Sequence, residues 1–269
     1  MKHGITLSPR ELLFIAALLD AREFMGVPDA FFGMEESEMQ QEMMALQSSL
    51  EERGYAEMDF DGSFTLSEDV MGIVDICANC DTFIVVDKNK SKQEPLRELY
   101  YAKAGRLVKL SEGSDGNALT FVAGMDELLE HISQDMEWMA SSTGLLKNVK
   151  VANAVLAEAK EKATSSNHLS GTNILIENGC DQISAEMIVS GLVGASDYFA
   201  VIITVFEGER EGVHNIMLTS NENGIYRLVP IMGEEQDAVQ FIAHTDTEAD
   251  IALADVVRGA FPTEREWLR

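Results

Sequence analysis

The sequence predicts an α+β fold in which one unit of helices and antiparallel strands is written twice. Capped amphipathic helices and short β-rich runs alternate, with tight turns between them, along the whole chain. Four segments of the second half also repeat, in the same order, the pattern of segments in the first. The spacing between matched residues is nearly constant: 117 from Ser67 to Ser184, 116 from Asp81 to Asp197 and 120 from Phe121 to Phe241. Chance could produce one such match. Four in order, with the same element types, indicate a duplicated unit, divided as 1–145 and 146–269.

The elements follow from local signals. "LSPREL" offers Ser8 as N-cap, Pro9 at the first helical position and Glu11 to close a capping box, so a helix is expected from Pro9 to about Arg22. After a Gly-Val-Pro stop, Met39, Met43, Leu46 and Leu50 form the apolar stripe of a helix over Glu35–Arg53, with Gly54 beyond its end. Glu57–Leu66 alternates about Asp61-Gly62 and reads as a hairpin. Ser67 opens a third helix that ends near Ala78. Thr82–Asp87 is a strand, Lys88–Pro95 a polar loop, and Arg97–Ser111 two strands about Ala104-Gly105. A strand over Ala118–Gly124 and a helix over Asp126–Met139 close the first half. The second half is expected to open with a helix over Asn148–Ala163, and a further helix begins at Ser184. Its strands follow Asp197 and flank a turn at Asn223-Gly224. A last helix starts behind Thr247, where Glu248 and Asp250 suit the positive end of the helix dipole.

Composition narrows the function. The chain of 269 residues is 46% hydrophobic and 25% charged, which is ordinary for a globular protein. Its net charge of −26, from 46 acids against 20 bases, disfavours nucleic acid and anionic membranes as partners. Leu12–Leu19 is too short to span a bilayer and has no cleavage site after it, so the expected location is the cytoplasm. Three cysteines do not describe a disulfide framework.

Cys77 and Cys80 stand in a C-x-x-C spacing, which raises metal and redox readings. The repeat argues against both, because the matching positions are Val193 and Ser196. The pair also lies at a helix C-terminus, where the dipole disfavours thiolate. A structural zinc needs four ligands, and beyond this pair stand only Cys180 and five dispersed histidines. Buried structural thiols fit best, and no cofactor or metal is expected. No phosphate-binding loop, nucleophile elbow or H-E-x-x-H motif is present. His244 beside Asp246 is the best of the weak catalytic candidates, and no catalytic residue is assigned.

Two features point to binding. Methionines crowd the first quarter of the chain, and Phe31-Phe32 stand in the loop before the second helix. Met suits surfaces that accept partner helices. Lys88, Lys90 and Lys92 form the densest basic cluster of an acidic protein. The candidate partner-binding residues are therefore Phe31, Phe32, Met34, Met44, Lys88, Lys90 and Lys92.

Leu7, Ser8 and Glu11 stand at a helix start, Pro28 in a short link, Gly33 before an acid-rich helix, and Leu50, Arg53, Gly54 and Tyr55 at its end. This order of elements resembles the opening of the EspG family, cytosolic chaperones of type VII (ESX) secretion. The resemblance implies the two halves packed as one domain, with a central antiparallel sheet shared between them and helical bundles on its flanks. It implies a non-enzymatic chaperone or adaptor that covers an apolar tip of a helical secretion substrate and keeps it soluble. The family grips its partner with a long strand–strand loop. Here the turn at Ala104-Gly105 is tight, and Lys88–Pro95 is the candidate substitute. The alternative is an acidic immunity or inhibitor protein that plugs a basic toxin domain, and a third reading is an enzyme of unrecognised type.

Overall fold

The structure, a computed structural model, describes residues 4–21, 24–90, 94–114, 116–134, 146–207, 210–233 and 236–261. The chain opens with strand β1 (Ile5–Leu7), helices α1 (Pro9–Leu18) and α2 (Glu36–Glu52), a hairpin of β2 (Ala56–Met58) and β3 (Phe64–Leu66), and helix α3 (Glu68–Ala78). Strands β4 (Thr82–Asn89), β5 (Leu96–Lys103), β6 (Arg106–Gly113) and β7 (Gly116–Val122) follow, then helix α4 (Met125–Ser133). The second half begins with β8 (Val149–Ala152), α5 (Asn153–Ser165), α6 (His168–Glu177) and α7 (Gln182–Leu192). It ends with β9 (Asp197–Glu207), β10 (Arg210–Asn221), β11 (Gly224–Ile231), β12 (Ala238–His244) and α8 (Asp246–Gly259).

The fold is α+β. Ten strands form one antiparallel sheet in the order β1-β7-β6-β5-β4-β9-β10-β11-β12-β8. Outward from the β4–β9 seam the order reads the same on both sides, and only the β2–β3 hairpin lacks a counterpart. The seam is long, from Thr82 opposite Val205 to Asn89 opposite Tyr198, so the halves share one continuous backbone ladder.

Side-chain alternation gives the sheet two differently covered faces. On one face α1, α2 and α3 pack on Phe83, Leu99, Tyr101, Val108 and Leu119. Helices α5, α6 and α7 pack on the same face at the other end, over Val151, Tyr226 and Phe241. The opposite face carries α4 and α8, whose Leu128, Ile132, Leu253 and Val257 meet Ile84, Val86, Val201, Ile203 and Leu218 across the seam.

Several elements follow the sequence expectations closely. Ser8 and Glu11 form the capping box of α1, and Ser67 is the N-cap of α3. Ala104 and Gly105 both take positive φ, 49° and 73°, as the two-residue turn between β5 and β6 requires. Others differ. Helix α1 stops at Leu18, and Asp20 leaves it in a left-handed conformation. The helix expected from Asn148 starts at Asn153, because Val149–Ala152 pair with β12 as an edge strand. Helix α7 starts at Gln182, capped by Asp181, so Ser184 lies inside its first turn and its hydroxyl donates to the Asp181 carboxylate. Thr245, not Thr247, caps α8. Helix α4 stops at Ser133, where Gln134 leaves it at ψ 135°, short of the end expected near Met139, and the proposed boundary at residue 145 lies outside the described residues.

Helices α5 and α6 approach closely at Gly171. A Cβ there would stand 2.5 Å from the Ala159 carbonyl oxygen and 2.8 Å from the Ala163 Cβ. Neither atom can rotate away. Gly171→Ala is expected to lower stability by about 1–3 kcal/mol, read as a fall in the urea midpoint at unchanged slope.

Candidate partner-docking site

Between the two helical bundles, among the described residues, one strip of the sheet is only partly covered. Val201 and Ile203 of β9 are fully buried beneath α4 and α8, so Tyr198, Ile202 and Thr204 alternate onto the other face. Ile202 pairs with Val85 on one side and Asn215 on the other, and Thr204 pairs with Phe83 and Val213. These residues share the face of the two bundles, yet Ile202 is 39% exposed, Tyr198 37% and Val213 60%. Half-buried Val85, Thr204, Phe206 and Met217 continue the strip. Three apolar side chains on one strip of sheet, with polar side chains at its border, have the composition of an interface core within a polar rim.

The borders come from recognisable parts of the chain. On the first-half side the link after α1 lies against the sheet. Phe24 packs edge-on against Tyr101, the Tyr101 hydroxyl donates to the Met25 carbonyl at 2.7 Å, and Gly26 fits against Leu99 and Phe83. A Cβ on Gly26 would stand 2.8 Å from Leu99, which is why no side chain occupies that point. On the outer side of this link a groove of about 370 Å³ is lined by Leu13, Ala16, Ala17, Phe24, Val27 and Phe31, among others. At the end where Asn89 faces Tyr198, the strip is closed by a 2.7 Å ion pair of Arg97 with Asp87. Burial, with the Asp87 charge beside it, raises the Tyr198 hydroxyl, which stays neutral at physiological pH.

The residues singled out in the sequence are not gathered in one place. Phe31 lines the groove and is half-buried, Phe32 is 88% exposed beside it, and Met34 is half-buried. Met44 projects from α2 at 60% exposure. Lys90, half-buried, follows β4 at the Tyr198 end of the strip, and Lys92 lies outside the described residues. Lys88 needs correction. It is no loop residue but part of β4, only 7% exposed, and it points to the face of α4. Its ammonium lies 2.9 Å from Glu98 and donates to the carbonyls of His131 and Gln134 at the end of α4. Lys109 pairs with the other Glu98 oxygen and lies 5.5 Å from the centre of the Tyr100 ring. Burial pushes the Glu98 carboxyl up, but the two lysines outweigh it and hold it below the usual range.

Sequence reasoning missed Ile202 and Val213. A signal was there: "YFAVIITVF" is apolar at both parities, more than a strand with only one covered face requires. Which face stays open depends on where distant helices pack.

The chemistry elsewhere is sparse. His244 and Asp246 form no dyad: both ring nitrogens and Asp246 Oδ1 are buried without a hydrogen-bond partner, and burial lowers the imidazole pKa. His168 Nε2 lies 3.1 Å from Ser190 Oγ, but that hydroxyl donates to the Glu186 carbonyl within its own helix. Among the described residues no three His, Cys, Asp or Glu side chains are grouped to hold a metal ion. Cys77 is buried in the core beneath α3, and burial raises its thiol pKa. Burial and the Asp81 charge raise Cys80 to about 11. Native protein is therefore expected to resist iodoacetamide at pH ~8, well below that value, and to label fully only after denaturation; mass spectrometry of the two samples checks this.

The comparisons bear on the fold. The chain is similar to a chain in the structure of the Mycobacterium tuberculosis type VII secretion system chaperone EspG5 in complex with a PE25–PPE41 dimer. The match has a TM-score of 0.65 at 14% sequence identity, and it covers 97% of this chain and 96% of that one. It shows a common fold over nearly the whole length. No family model matches the sequence, and none of the curated proteins compared with it is a match. Among the described residues no helix is long and apolar enough to cross a membrane.

Proposed function

We propose that this protein is a non-enzymatic chaperone or adaptor that holds an apolar helical segment of a protein partner on the Tyr198–Ile202–Val213 strip. The observation that carries this reading is that exposed apolar strip, framed by two helical bundles. A helix laid along it would cover side chains that otherwise favour self-association. The shared fold with a type VII secretion chaperone supports a partner of the same kind, a helical secretion substrate met in the cytoplasm. The net charge of −26 would keep such a complex soluble.

The test places a charge on the strip. Ile202→Asp and Val213→Asp, alone and together, are expected to keep the thermal unfolding profile while weakening retention of the co-purifying helical partner. A loss of about 2 kcal/mol, roughly thirtyfold in Kd, fits a charge placed in an apolar interface core. Undiminished retention in the double variant would overturn the reading. The inhibitor reading rests on the net charge of −26 and predicts instead a steep fall of association with salt.

A further inference from the structure

Strand β10 has an open edge in the interior of the sheet. It pairs with β9 from Arg210 opposite Glu207 to Ser220 opposite Asp197. On its other side it pairs with β11 only from Met217 opposite Leu228 to Asn221 opposite Gly224. Beyond that point β11 continues to Ile231, but Val229, Pro230 and Ile231 pair only with β12. Pro230, which has no N–H to give a ladder, stands where the pairing is lost. Residues 210–216 thus keep one paired edge and one edge without a strand.

Among the described residues, nothing else takes up that edge. Glu211, Gly212, Val213, His214 and Asn215 are all exposed. No backbone bond outside the β9 ladder involves residues 211–216. In an antiparallel strand, N–H and C=O groups of alternate residues point away from the paired neighbour, so this edge offers a row of unpaired donors and acceptors. Natural sheets blunt such edges with short strands, prolines or inward charges. This segment has no proline and only one acid, Glu211, within 211–216.

We propose that the open edge of β10 takes up an extended, lysine-flanked segment of a partner protein by strand addition. Backbone pairing sets the form of the occupant, because only an extended chain meets donors and acceptors at strand spacing. Charge sets its sign. Exposed Glu211 lies on the open stretch, and the chain's net charge of −26 favours a cationic occupant over an acidic one. A second copy of this chain would bring another −26 charge against it, which disfavours self-pairing. The edge shares Val213 with the helix-docking strip, but its occupant binds through backbone groups, whereas the strip's occupant binds through side chains.

The probe is a short capped Thr/Val peptide with a lysine at each end, and its twin N-methylated along one edge. Both are titrated into the isotope-labelled full chain, and amide hydrogen exchange is followed. In the free protein, outward amides of residues 211–216 should exchange fast. The peptide should protect those amides, and the N-methylated twin should bind about tenfold or more weakly, as two or three lost backbone bonds require. The Ile202→Asp variant should bind the peptide undiminished, which separates this result from failure of the docking strip. Equal binding of the twin would mean charge attraction alone. Slow exchange in the free protein would mean that the chain or a second copy already covers the edge. Either outcome, or no binding, overturns the proposal.

Discussion

Glu98→Ala is expected to destabilise the fold by about 3–5 kcal/mol, because it strands two lysines inside it. The side chain of Lys88 is 8% exposed and that of Lys109 18%, and Glu98 is the acid that both ion pairs share. Lys88 also ties the last turn of α4 to the sheet through two carbonyls. Loss of the carboxylate leaves these charges with dipoles alone. The expected signs are a large fall in the urea midpoint and early hydrogen exchange in α4. A triple variant, Lys88→Met with Glu98→Leu and Lys109→Met, should recover most or all of the loss, since well-packed apolar replacements of buried ion networks are often neutral or stabilising. A Glu98→Ala protein as stable as the parent would show that water reaches the site and that Lys88 can turn outward, as a loop lysine would.

Arg53→Ala is the second large effect, expected at about 2–4 kcal/mol near neutral pH. Glu11 is 3% exposed, yet its carboxylate is fully engaged. It accepts from the Ser8 N–H at 2.7 Å, the Ser49 hydroxyl at 2.9 Å and Arg53 at 2.8 Å. Arg53 also donates to the Thr6 carbonyl and stacks over Tyr55, so it joins α2 to β1 and α1. Burial pushes the Glu11 carboxyl up, but these bonds outweigh it and hold it below its ordinary 4.5. A depressed carboxylate contributes stability above its unfolded pKa and loses it as pH falls through the folded value. The gap between parent and Arg53→Ala should therefore be widest near neutral pH and narrow as pH falls below 4.5. Urea titrations at neutral and acid pH check both size and sign. A gap independent of pH would assign the loss to packing over Tyr55 rather than to the buried charge.

Much of the fold was legible because its signals are local. Ser67, the acids after it and the apolar stripe define α3 within one stretch of chain, and the structure keeps those bounds. The Ala104-Gly105 turn is equally local. The misreadings have a common cause. Val149–Ala152 reads as the start of a helix because the residues behind it are helical, and only pairing with β12, far along the chain, makes it a strand. Ser184 reads as a cap until Asp181, three residues earlier, takes that role. Lys88 reads as a loop lysine because its partner Glu98 lies across a strand pair. The candidate site was the least legible part. Phe32 and Met44 advertise themselves as exposed apolar residues, whereas Ile202 looks like any core isoleucine until the helices are placed.

Docking of a partner helix on the strip between the bundles can be read at a single residue. A photo-crosslinking residue at position 202, in the native host, tests it most directly, with position 251 on the outer side of α8 as control because Ile251 is 55% exposed. A stoichiometric crosslink is expected from position 202 to a helical segment of one partner protein, and none from position 251. The same partner captured from 251 but not from 202, or no partner at 202, would contradict it.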